Sequence, residues 1–530
     1  MNKKNLYRWH RILSLIIALP LVLWAGSGFM HPLMTSIRPQ VATQTLPVFP
    51  ADILKIKVSL QEALKKNNIS RIENFRLIHI RDNWFYQVKL PERDEPLYLS
   101  ADKGRLLPNG DAVYAGFLAR EFLSGPTNSP QIVNSPRKFG GDDCCAAATA
   151  AALGVSGDVR ILAAKPVTRF GGEYKSVNRF LPARAVWFDR DDDLRVYVET
   201  AHDRFALAVD KNRERFDRIF GWFHTWTWMD GFGKAQVVLI GLIMTTIFST
   251  SLIGLYLFFS STSKKGDHKL VKARRWHRFT AVTISLFTLF FSLSGFLHIA
   301  AKWKPDDREK HFVRDRFSGN ALNPDLAALQ KIAGEKGLLS NLSLVNYAGK
   351  ACWRLELTDK HKSNSPQNGN AMADRRSAIA ETIYVNCADG RVILPGEKGY
   401  AKELALRLSG YAAGDVTHVA AVTRFGEAYN FADKRLPVWE VGFRNGERWF
   451  VETSSGHLAS RISRGDLLEG YSFALLHKHH FMDWGGKTVR DISTLFWAGA
   501  QIFMVIFGLI LFSRIRKQKQ KTQHKKTFRS

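Results

Sequence analysis

Four stretches without Asp, Glu, Lys or Arg limit what this chain can fold into more than any other feature of its sequence. A helix needs about 20 consecutive apolar residues to cross the hydrocarbon core of a membrane, and each stretch is at least that long. The hydrophobic content of the whole chain, 45%, is that of an ordinary soluble protein, but this average is misleading because the apolar residues are concentrated in these stretches. They therefore predict four transmembrane helices, at residues 12–37, 235–263, 279–301 and 492–513.

The net charge of +28 is concentrated in three segments that adjoin the predicted helices. Residues 1–11, 260–278 and 514–530 together contain nineteen Lys and Arg residues and a single acidic residue, Asp267. With four membrane spans, all three segments lie on one side, which is the positive-inside pattern of cytoplasmic segments. Contact with anionic lipid headgroups accounts for the charge, so no nucleic-acid partner is predicted. We expect a multi-pass protein of the bacterial inner membrane, with both termini cytoplasmic and two large periplasmic domains.

The chain also contains an internal repeat, whose unit is a helix, an external domain and a second helix. The first and third predicted helices share their motifs at a constant offset of 267 residues, and later motifs recur at offsets of 255 and 253. Because the leading segment recurs in mid-chain, a transmembrane helix is favoured over a cleaved signal peptide. The matched residues are Trp9-His10-Arg11 with Trp276-His277-Arg278, residues 27–31 with 294–298, 167–170 with 422–425, 198–200 with 451–453, and His224 with His477.

Each external region is predicted to consist of two small α+β modules. Residues 84–90 and 439–443 alternate between polar and apolar types with a period of two, and Asn445-Gly446 is a turn signal, a combination that indicates antiparallel hairpins. Helical segments at 59–66 and 325–331 precede such strands.

Cysteine usage and one polar segment give two further expectations. Cys352 and Cys387 fall in predicted neighbouring strands of a periplasmic module, where the oxidising environment allows a disulfide. Cys144 and Cys145 are adjacent in sequence, a position in which a bridge is strained. The polar segment 364–376 is predicted to be a mobile loop.

Histidines occur in pairs at the predicted membrane boundaries. In the first and third helices, 21 residues separate the two histidines, which corresponds to about 31 Å along a helix axis and a rotation of roughly 60°. Each helix therefore presents one imidazole per membrane face, on broadly the same side. The pairs are His10 with His277 at the cytoplasmic ends, His31 with His298 at the outer ends, and His224 with His477 just outside the second and fourth helices.

Such an array is typical of haem ligation. Neutral imidazole is a strong axial ligand for haem iron, and helix bundles house cofactors between facing side chains. No Cys-x-x-Cys-His occurs, so any haem is b-type. Two arrangements remain open: one haem near each face, ligated by His10 with His277 and by His31 with His298, or both haems near the outer face, with His224 and His477 as further ligands. The competing interpretation is that these histidines are ordinary residues at the headgroup level.

The paired motifs, above all residues 9–11, 27–31, 276–278 and 294–298, resemble the PepSY-associated transmembrane family over nearly the whole chain. Members of that family include inner-membrane haem proteins that reduce ferric siderophores on the periplasmic side. The resemblance implies haem b, two copies being expected, bound through His10, His277, His31 and His298, with His224 and His477 next. It also implies iron release by reduction to the ferrous state. The long external domains and the Cys144-Cys145 segment depart from shorter members, which leaves the substrate open.

The predicted fold class is an α-helical membrane protein with α+β extramembrane domains, in which two repeats of helix, PepSY-like domain and helix form a four-helix transmembrane bundle. The expected organisation is helix 1 with a cytoplasmic N-terminus at 1–38, periplasmic domain 1 at 39–232, helix 2 at 233–263, a basic cytoplasmic loop at 264–278, helix 3 at 279–302, periplasmic domain 2 at 303–488, helix 4 at 489–513 and a basic cytoplasmic tail at 514–530.

The function predicted from these features is haem-dependent reduction of a ferric siderophore or ferric iron in the periplasm. No Gly-x-Gly-x-x-Gly fingerprint opens a helix after a strand, so electrons are expected from membrane quinol or a cytoplasmic reductase. The alternative is a membrane-anchored binding or regulatory protein, whose external modules act on a periplasmic protease or an envelope partner. A transporter is disfavoured because no charged or broken helix lies at mid-membrane.

Overall fold

The computed structural model of the protein describes most of the chain and divides it into two compact units. Cys144, Cys145 and the predicted loop at 364–376 lie outside the described residues. Unit 1 consists of Met1–Ile37, Glu214–Asp306 and Arg464–Ser530, and unit 2 of Arg38–Arg213 and Asp307–Ser463. The described residues are 3–34, 37–51, 53–125, 159–262, 269–304, 311–319, 322, 324–334, 336–358, 379–426 and 428–527.

Long apolar helices dominate unit 1, and short helices accompany the sheets of unit 2. In chain order the α-helices are α1 (Lys3–Gly28), α2 (Met30–Leu33), α3 (Leu60–Lys66), α4 (Gly110–Ser124), α5 (Lys211–Phe220), α6 (Lys234–Ser260), α7 (Lys269–Ala301), α8 (Leu326–Ala333), α9 (Glu397–Ser409), α10 (Arg464–Ser472) and α11 (Gly486–Thr527).

Among the residues that the structure describes, four helical segments of unit 1 are long and apolar enough to cross a membrane, so the chain is consistent with a multi-pass helical membrane protein with α+β domains. These candidate spans are Lys3–Leu33, Lys234–Ser260, Lys269–Ala301 and His480–Gln518. Helices α1 and α7 begin about one to three turns before the charge-free stretches, and α11 continues beyond its stretch. The physical reason is that Lys and Arg are unfavourable in hydrocarbon but are good helix formers.

The spanning helices of unit 1 form a closed ring of neighbours. Helix α6 packs against α1 and α7, and α11 packs against the same two helices. The apolar core between α1 and α6 includes Trp24, which stacks on Trp226 with ring centroids 5.0 Å apart. Trp226 is buried, although an interfacial position would be the ordinary expectation for a tryptophan beside a span.

Unit 2 is built from small antiparallel sheets. The strand orders are β2-β3-β4, β5-β6-β7-β8, β10-β11-β12 and β13-β14-β15-β16, and β1 pairs with β9. The strands are β1 (Arg71–Ile72), β2 (Asn74–Ile80), β3 (Asn83–Lys89), β4 (Leu97–Ser100), β5 (Ile161–Val167), β6 (Ala183–Phe188), β7 (Arg195–Glu199), β8 (Arg204–Val209), β9 (Phe317–Ser318), β10 (Leu338–Tyr347), β11 (Lys350–Thr358), β12 (Ile379–Asn386), β13 (Val416–Val422), β14 (Val438–Phe443), β15 (Arg448–Glu452) and β16 (His457–Ile462).

The local sequence signals of unit 2 are confirmed. The strands predicted at 84–90 and 439–443 are β3 and β14. Ser59 and Asp325 cap the predicted helices, because each side chain accepts a hydrogen bond from the backbone N–H three residues later. Gly446 has a φ of 84° in the turn between β14 and β15, a left-handed conformation that favours glycine.

Two asparagines join the three-stranded sheets in a reciprocal way. Asn341 Oδ1 accepts a hydrogen bond of 3.1 Å from the backbone N–H of Leu77, and Asn74 Oδ1 accepts one of 2.8 Å from that of Leu344. Each asparagine also accepts the N–H of its following residue, Phe75 or Leu342, at 2.8 Å. The two asparagines are 267 residues apart, as are the two leucines, which is the offset that relates the first and third helices. Each amide therefore satisfies edge-strand N–H groups of the other sheet.

A polar network is buried at the two Glu-Thr motifs. Thr200 donates a 2.6 Å hydrogen bond to Asp111, and Thr453 donates one of 2.6 Å to Glu397. Glu452, which is fully buried, is paired with Arg204 and with Arg435, the latter at 2.9 Å. Pairing of this kind offsets the large cost of removing a carboxylate from water.

The two described cysteines are free thiols. Cys352 lies in β11, opposite Asn386 of β12, and Cys387 follows that strand, so the predicted neighbouring strands are confirmed. Burial raises the pKa of the Cys352 thiol to about 11 and that of Cys387 to about 12.

Candidate functional site

The outstanding feature of unit 1 is a cavity with histidines in its wall. Its volume is about 230 Å³, just below the range of about 300–1,000 Å³ that is typical of small-molecule sites. His31, His224, His298 and His477 all line it. His10 and His277 do not, because they lie near the opposite ends of α1 and α7. We call these two regions the His31 end and the His10 end.

The remaining wall of the cavity is mainly apolar. Gly28 leaves open space where a side chain would stand, since a Cβ atom there would meet no atom within 4 Å. Within the described part of the chain, no Asp or Glu lines the cavity. The apolar lining comes from all the spanning helices and includes Leu21, Trp24, Ile240, Met244, Ile247, Phe291, Ile299 and Ala498.

Three of the histidines form a compact cluster. His31, His224 and His477 each offer a ring nitrogen, and these three atoms all lie within 4.8 Å of one another. Metal–imidazole bonds are about 2.0–2.1 Å long, so two nitrogens that share a metal ion lie no more than about 4 Å apart. The cluster is therefore close to the spacing at which imidazoles share one ion.

Two π-helical turns place His224 and His477. The turn at Gly221–Thr225 follows α5 directly, and the turn at Phe473–His477 follows α10. Such turns are rare in proteins overall but occur often at functional sites, because the wider turn changes the direction of its side chains. The Trp24 indole fixes the first turn by donating a 2.9 Å hydrogen bond to the carbonyl of His224. Sequence reasoning did not predict these turns; the one available signal was the recurrence of a histidine before each following helix.

A serine from a spanning helix fixes the tautomer of each of these histidines. Ser27 Oγ lies 3.0 Å from Nδ1 of His224, and Ser294 Oγ lies 3.2 Å from Nδ1 of His477. Each hydroxyl donates its single hydrogen to a backbone carbonyl of its own helix, Ser27 to Leu23 at 2.7 Å and Ser294 to Phe291 at 3.1 Å. The serines must therefore accept from Nδ1–H, which leaves the Nε2 lone pair of each histidine available.

His31 has a different role in the hydrogen-bond pattern. Lys478 Nζ donates a 2.9 Å hydrogen bond to His31 Nδ1, so the ring proton of His31 is on Nε2. That Nε2 lies 3.3 Å from Nε2 of His224 and donates to it. A metal ion bound at His224 Nε2 would replace this hydrogen bond.

Both histidines of the π-helical turns are neutral near pH 7. Burial lowers the pKa of His224 to about 4, with a further contribution from the charge of Lys478. Burial likewise keeps the pKa of His477 well below its usual range. Neutral imidazole is the form that binds metal ions.

His298 lies apart from the cluster although it lines the same cavity. Its Nδ1 is 2.7 Å from Glu469 Oε1, its ring stacks on Phe473 at 5.0 Å, and its side chain is 46% exposed. The structure therefore groups His31 with His224 and His477 rather than with its predicted partner His298.

At the His10 end, each histidine faces a glycine of the next spanning helix. A Cβ atom on Gly254 would lie 3.2 Å from the His10 ring, and one on Gly508 would lie 3.6 Å from the His277 ring. His10 Nδ1 is 3.2 Å from the carbonyl of Thr250, whereas His277 Nδ1 is buried and has no hydrogen-bond partner among the described residues.

The histidines that follow His477 are not in the cluster. His479 is fully buried, with Nδ1 3.1 Å from Ser493 Oγ, and His480 is paired with Asp483 at 2.7 Å.

Sequence reasoning also missed Lys478, because a lysine beside a predicted membrane boundary has an ordinary explanation as an interfacial residue.

Comparison of this chain with models of known protein families and with curated protein sequences gives no match.

Proposed function

We propose that this protein is a b-type haem electron-transfer protein and that a haem occupies the cavity at the His31 end. The observation that carries the proposal is the cluster of three neutral imidazoles in an apolar cavity. The open space at Gly28 and the apolar wall fit a flat, largely apolar cofactor. A haem bound there would supply a one-electron couple whose potential depends on its ligands and burial.

His224 and His477 are the first-choice ligands at this end. Their Nδ1–H groups are held by Ser27 and Ser294, and their Nε2 atoms are free of hydrogen, so no tautomer change is needed for coordination. His31 is the next choice, since its Nε2 carries a proton while Lys478 donates to Nδ1. His298 is less favoured because Glu469 engages its ring.

A second haem is proposed at the His10 end, held by His10 and His277. The support is the unpartnered, buried Nδ1 of His277 and the two glycines that face these rings. With His10 and His277 at one end of the helical unit and His224 and His477 at the other, bound haems would supply a one-electron couple at each end, and quinol or a cytoplasmic reductase is the proposed source of electrons.

We further propose that the chain consists of two repeats of the PepSY-associated transmembrane type. The reciprocal hydrogen bonds of Asn74 and Asn341 support a twofold relation between the halves, as do the matching Ser27–His224 and Ser294–His477 pairs. The orientation in the inner membrane, with cytoplasmic termini and periplasmic unit 2, follows from the charge distribution. A ferric siderophore or ferric complex as substrate is proposed on the resemblance alone.

The decisive experiment is an absorption spectrum of the full-length protein, purified in detergent from a haem-replete host, together with elemental analysis. The proposal predicts the sharp bands of low-spin b-type haem and pigment that acid acetone extracts. His224→Ala should reduce haem content, whereas His480→Ala, in the same segment but outside the cavity, should leave it unchanged. Folded protein without haem would refute the proposal and favour the binding or regulatory alternative.

A site for a bare transition-metal ion is the second candidate, because three imidazole nitrogens within 4.8 Å also suit zinc or copper. Elemental analysis separates the two candidates. Stoichiometric zinc or copper without haem, lost in His224→Ala, would establish the bare-ion site.

A further inference from the structure

The charged groups in the wall of the cavity are all cationic. Lys478 lies beside His477, and Lys302 follows the end of α7; both line the cavity. No acidic residue among the described part of the chain lines it. An apolar cavity with Lys478 in its wall and no carboxylate attracts an anion, because charge interactions are strong where water is excluded.

Lys478 is a partly buried cation whose hydrogen-bond partner is an imidazole rather than a carboxylate. Its Nζ contacts His31 Nδ1 at 2.9 Å and lies 5.7 Å from the centroid of the Phe473 ring. Within the described residues, no carboxylate lies within 4.0 Å of this ammonium group. By contrast, buried Arg435 is paired with Glu452, and buried Arg184 with Asp111.

Enclosing even part of an ammonium group without a nearby anion is costly, since the group loses hydration and gains no counter-charge. An imidazole nitrogen compensates only in part because it is neutral. The cost falls if the molecule that fills the cavity brings its own negative charge. The position of Lys478 is then explained by the ligand rather than by the protein alone.

We infer that the cavity binds a carboxylate-bearing ligand with an apolar body, and that Lys478 pairs with a carboxylate group of this ligand. The inference rests on the proposed function where the ligand is haem b, whose two propionates supply the carboxylates. A free fatty acid has the same combination of an apolar body and a carboxylate. The imidazole cluster favours haem, because a fatty acid contains no metal ion for the imidazole nitrogens to bind.

The test compares haem with its dimethyl ester, in which the iron and ring are unchanged but both carboxylates are masked. Haem-depleted full-length protein in detergent is titrated with each, and absorption measures binding. Wild type should bind haem at least about tenfold more tightly than the ester, since tenfold corresponds to about 1.4 kcal/mol and a hydrogen bond to a charged group contributes at least that much. Lys478→Met should lose most of this preference while still binding the ester, and Lys478→Arg should retain it. Lys487→Met, a surface lysine paired with Asp491, is the matched control and should behave as wild type.

The outcomes separate this inference from the proposed function. Equal binding of haem and ester by wild type overturns the carboxylate site but leaves the haem site intact. Loss of both ligands in Lys478→Met, with Lys478→Arg also failing to prefer haem, likewise overturns it. If wild type binds neither porphyrin, the proposed function fails. In that case, oleate binding that is lost in Lys478→Met would support the carboxylate site, with a fatty acid as its ligand. If wild type does not bind oleate either, the carboxylate site is refuted as well.

Discussion

Ser27 Oγ accepts a 3.0 Å hydrogen bond from Nδ1 of His224, although 197 residues separate them in the sequence. The same relationship links Ser294 and His477 at 3.2 Å. Each serine belongs to the motif that ends in His31 or His298, so one motif serves two histidines. The serine directs the Nε2 lone pair of the distant histidine into the cavity, whereas the motif histidine lies at the end of its own helix.

The first prediction concerns these serines as positioning residues. Ser27→Ala and Ser294→Ala should each weaken haem binding by about 10–100-fold, the usual effect of losing the hydrogen-bond partner of a metal-binding histidine, and should shift the reduction potential. Ser292→Ala is the control, because Ser292 lines the same cavity but bonds only to backbone carbonyls. Equal losses in all three variants, with unchanged potentials, would mean that the serines act only in packing.

The second prediction identifies the ligands at the His31 end. His224→Ala or His477→Ala should convert this haem to a high-spin form or remove it, and the double variant should lose little more, because ligands that act as a unit are non-additive. His298→Ala should have a smaller effect. Absorption and electron paramagnetic resonance spectra provide the measurement, and His10→Ala should leave this haem unchanged. A normal spectrum in His224→Ala but not in His31→Ala would show that the ligand assignment is wrong.

The third prediction concerns membrane topology. Reporter fusions after residue 263 and after Ser530 should be active as cytoplasmic fusions, and those near Gly110 and Gly396 as periplasmic fusions, because four spans would bring the three strongly basic segments to one side, where the positive-inside rule places them in the cytoplasm. Paired alkaline phosphatase and fluorescent protein fusions measure this. A periplasmic C-terminus would contradict the four-span arrangement.

The fourth prediction tests the reciprocal asparagines of unit 2. Asn74→Ala and Asn341→Ala should each lower the free energy of unfolding by about 1–3 kcal/mol, since each leaves partly buried N–H groups without an acceptor. Asn→Asp at either position keeps an acceptor oxygen and should cost less. Asn83→Ala, at an exposed position, should change stability by less than about 0.5 kcal/mol. Unequal effects of the two Ala variants in denaturant titrations would argue against a twofold relation.

The fifth prediction concerns acid stability. Burial, aided by the charge of Arg435, lowers the pKa of His457 to about 3. The unfolded chain therefore takes up a proton below pH 6.5 that the folded chain does not, and stability falls as the pH drops from 6.5 towards 3. Between pH 6.5 and 5.5 this one group should remove about 1 kcal/mol. Below pH 4.5, Glu199 adds a loss of the same sign, because its folded pKa is lowered to about 2.

His457→Asn should reduce the loss of stability between pH 7.5 and 5.5 in the full-length protein, measured by denaturant titration of tryptophan fluorescence. His418→Asn, at an exposed position in β13, should not reduce it. An unchanged pH dependence in His457→Asn would show that His457 does not stay neutral in the folded state.

Much of the fold was predictable from local sequence. Charge-free stretches predicted the spanning helices, and period-two alternation predicted β3 and β14. These signals suffice because membrane burial and strand pairing depend on runs of neighbouring residues. The helix ends were harder to place: α7 begins at Lys269, inside the basic segment, since a cation ends the apolar stretch without ending the helix.

The sequence by itself determined which residues could form the site, and the tertiary structure decided which of them do so together. All six paired histidines were identifiable from the repeat, because a histidine occurs at the matching position of each half of the sequence. Their grouping was not, because two π-helical turns move His224 and His477 beside His31, while Glu469 engages His298. The roles of Ser27, Ser294 and Lys478 depend on contacts with residues that are 183 to 447 positions away in the sequence. Local sequence patterns do not predict contacts at such separations. Such contacts arise only when the helices pack, which is why the tautomers and the cationic wall appear in the folded structure and not in the sequence.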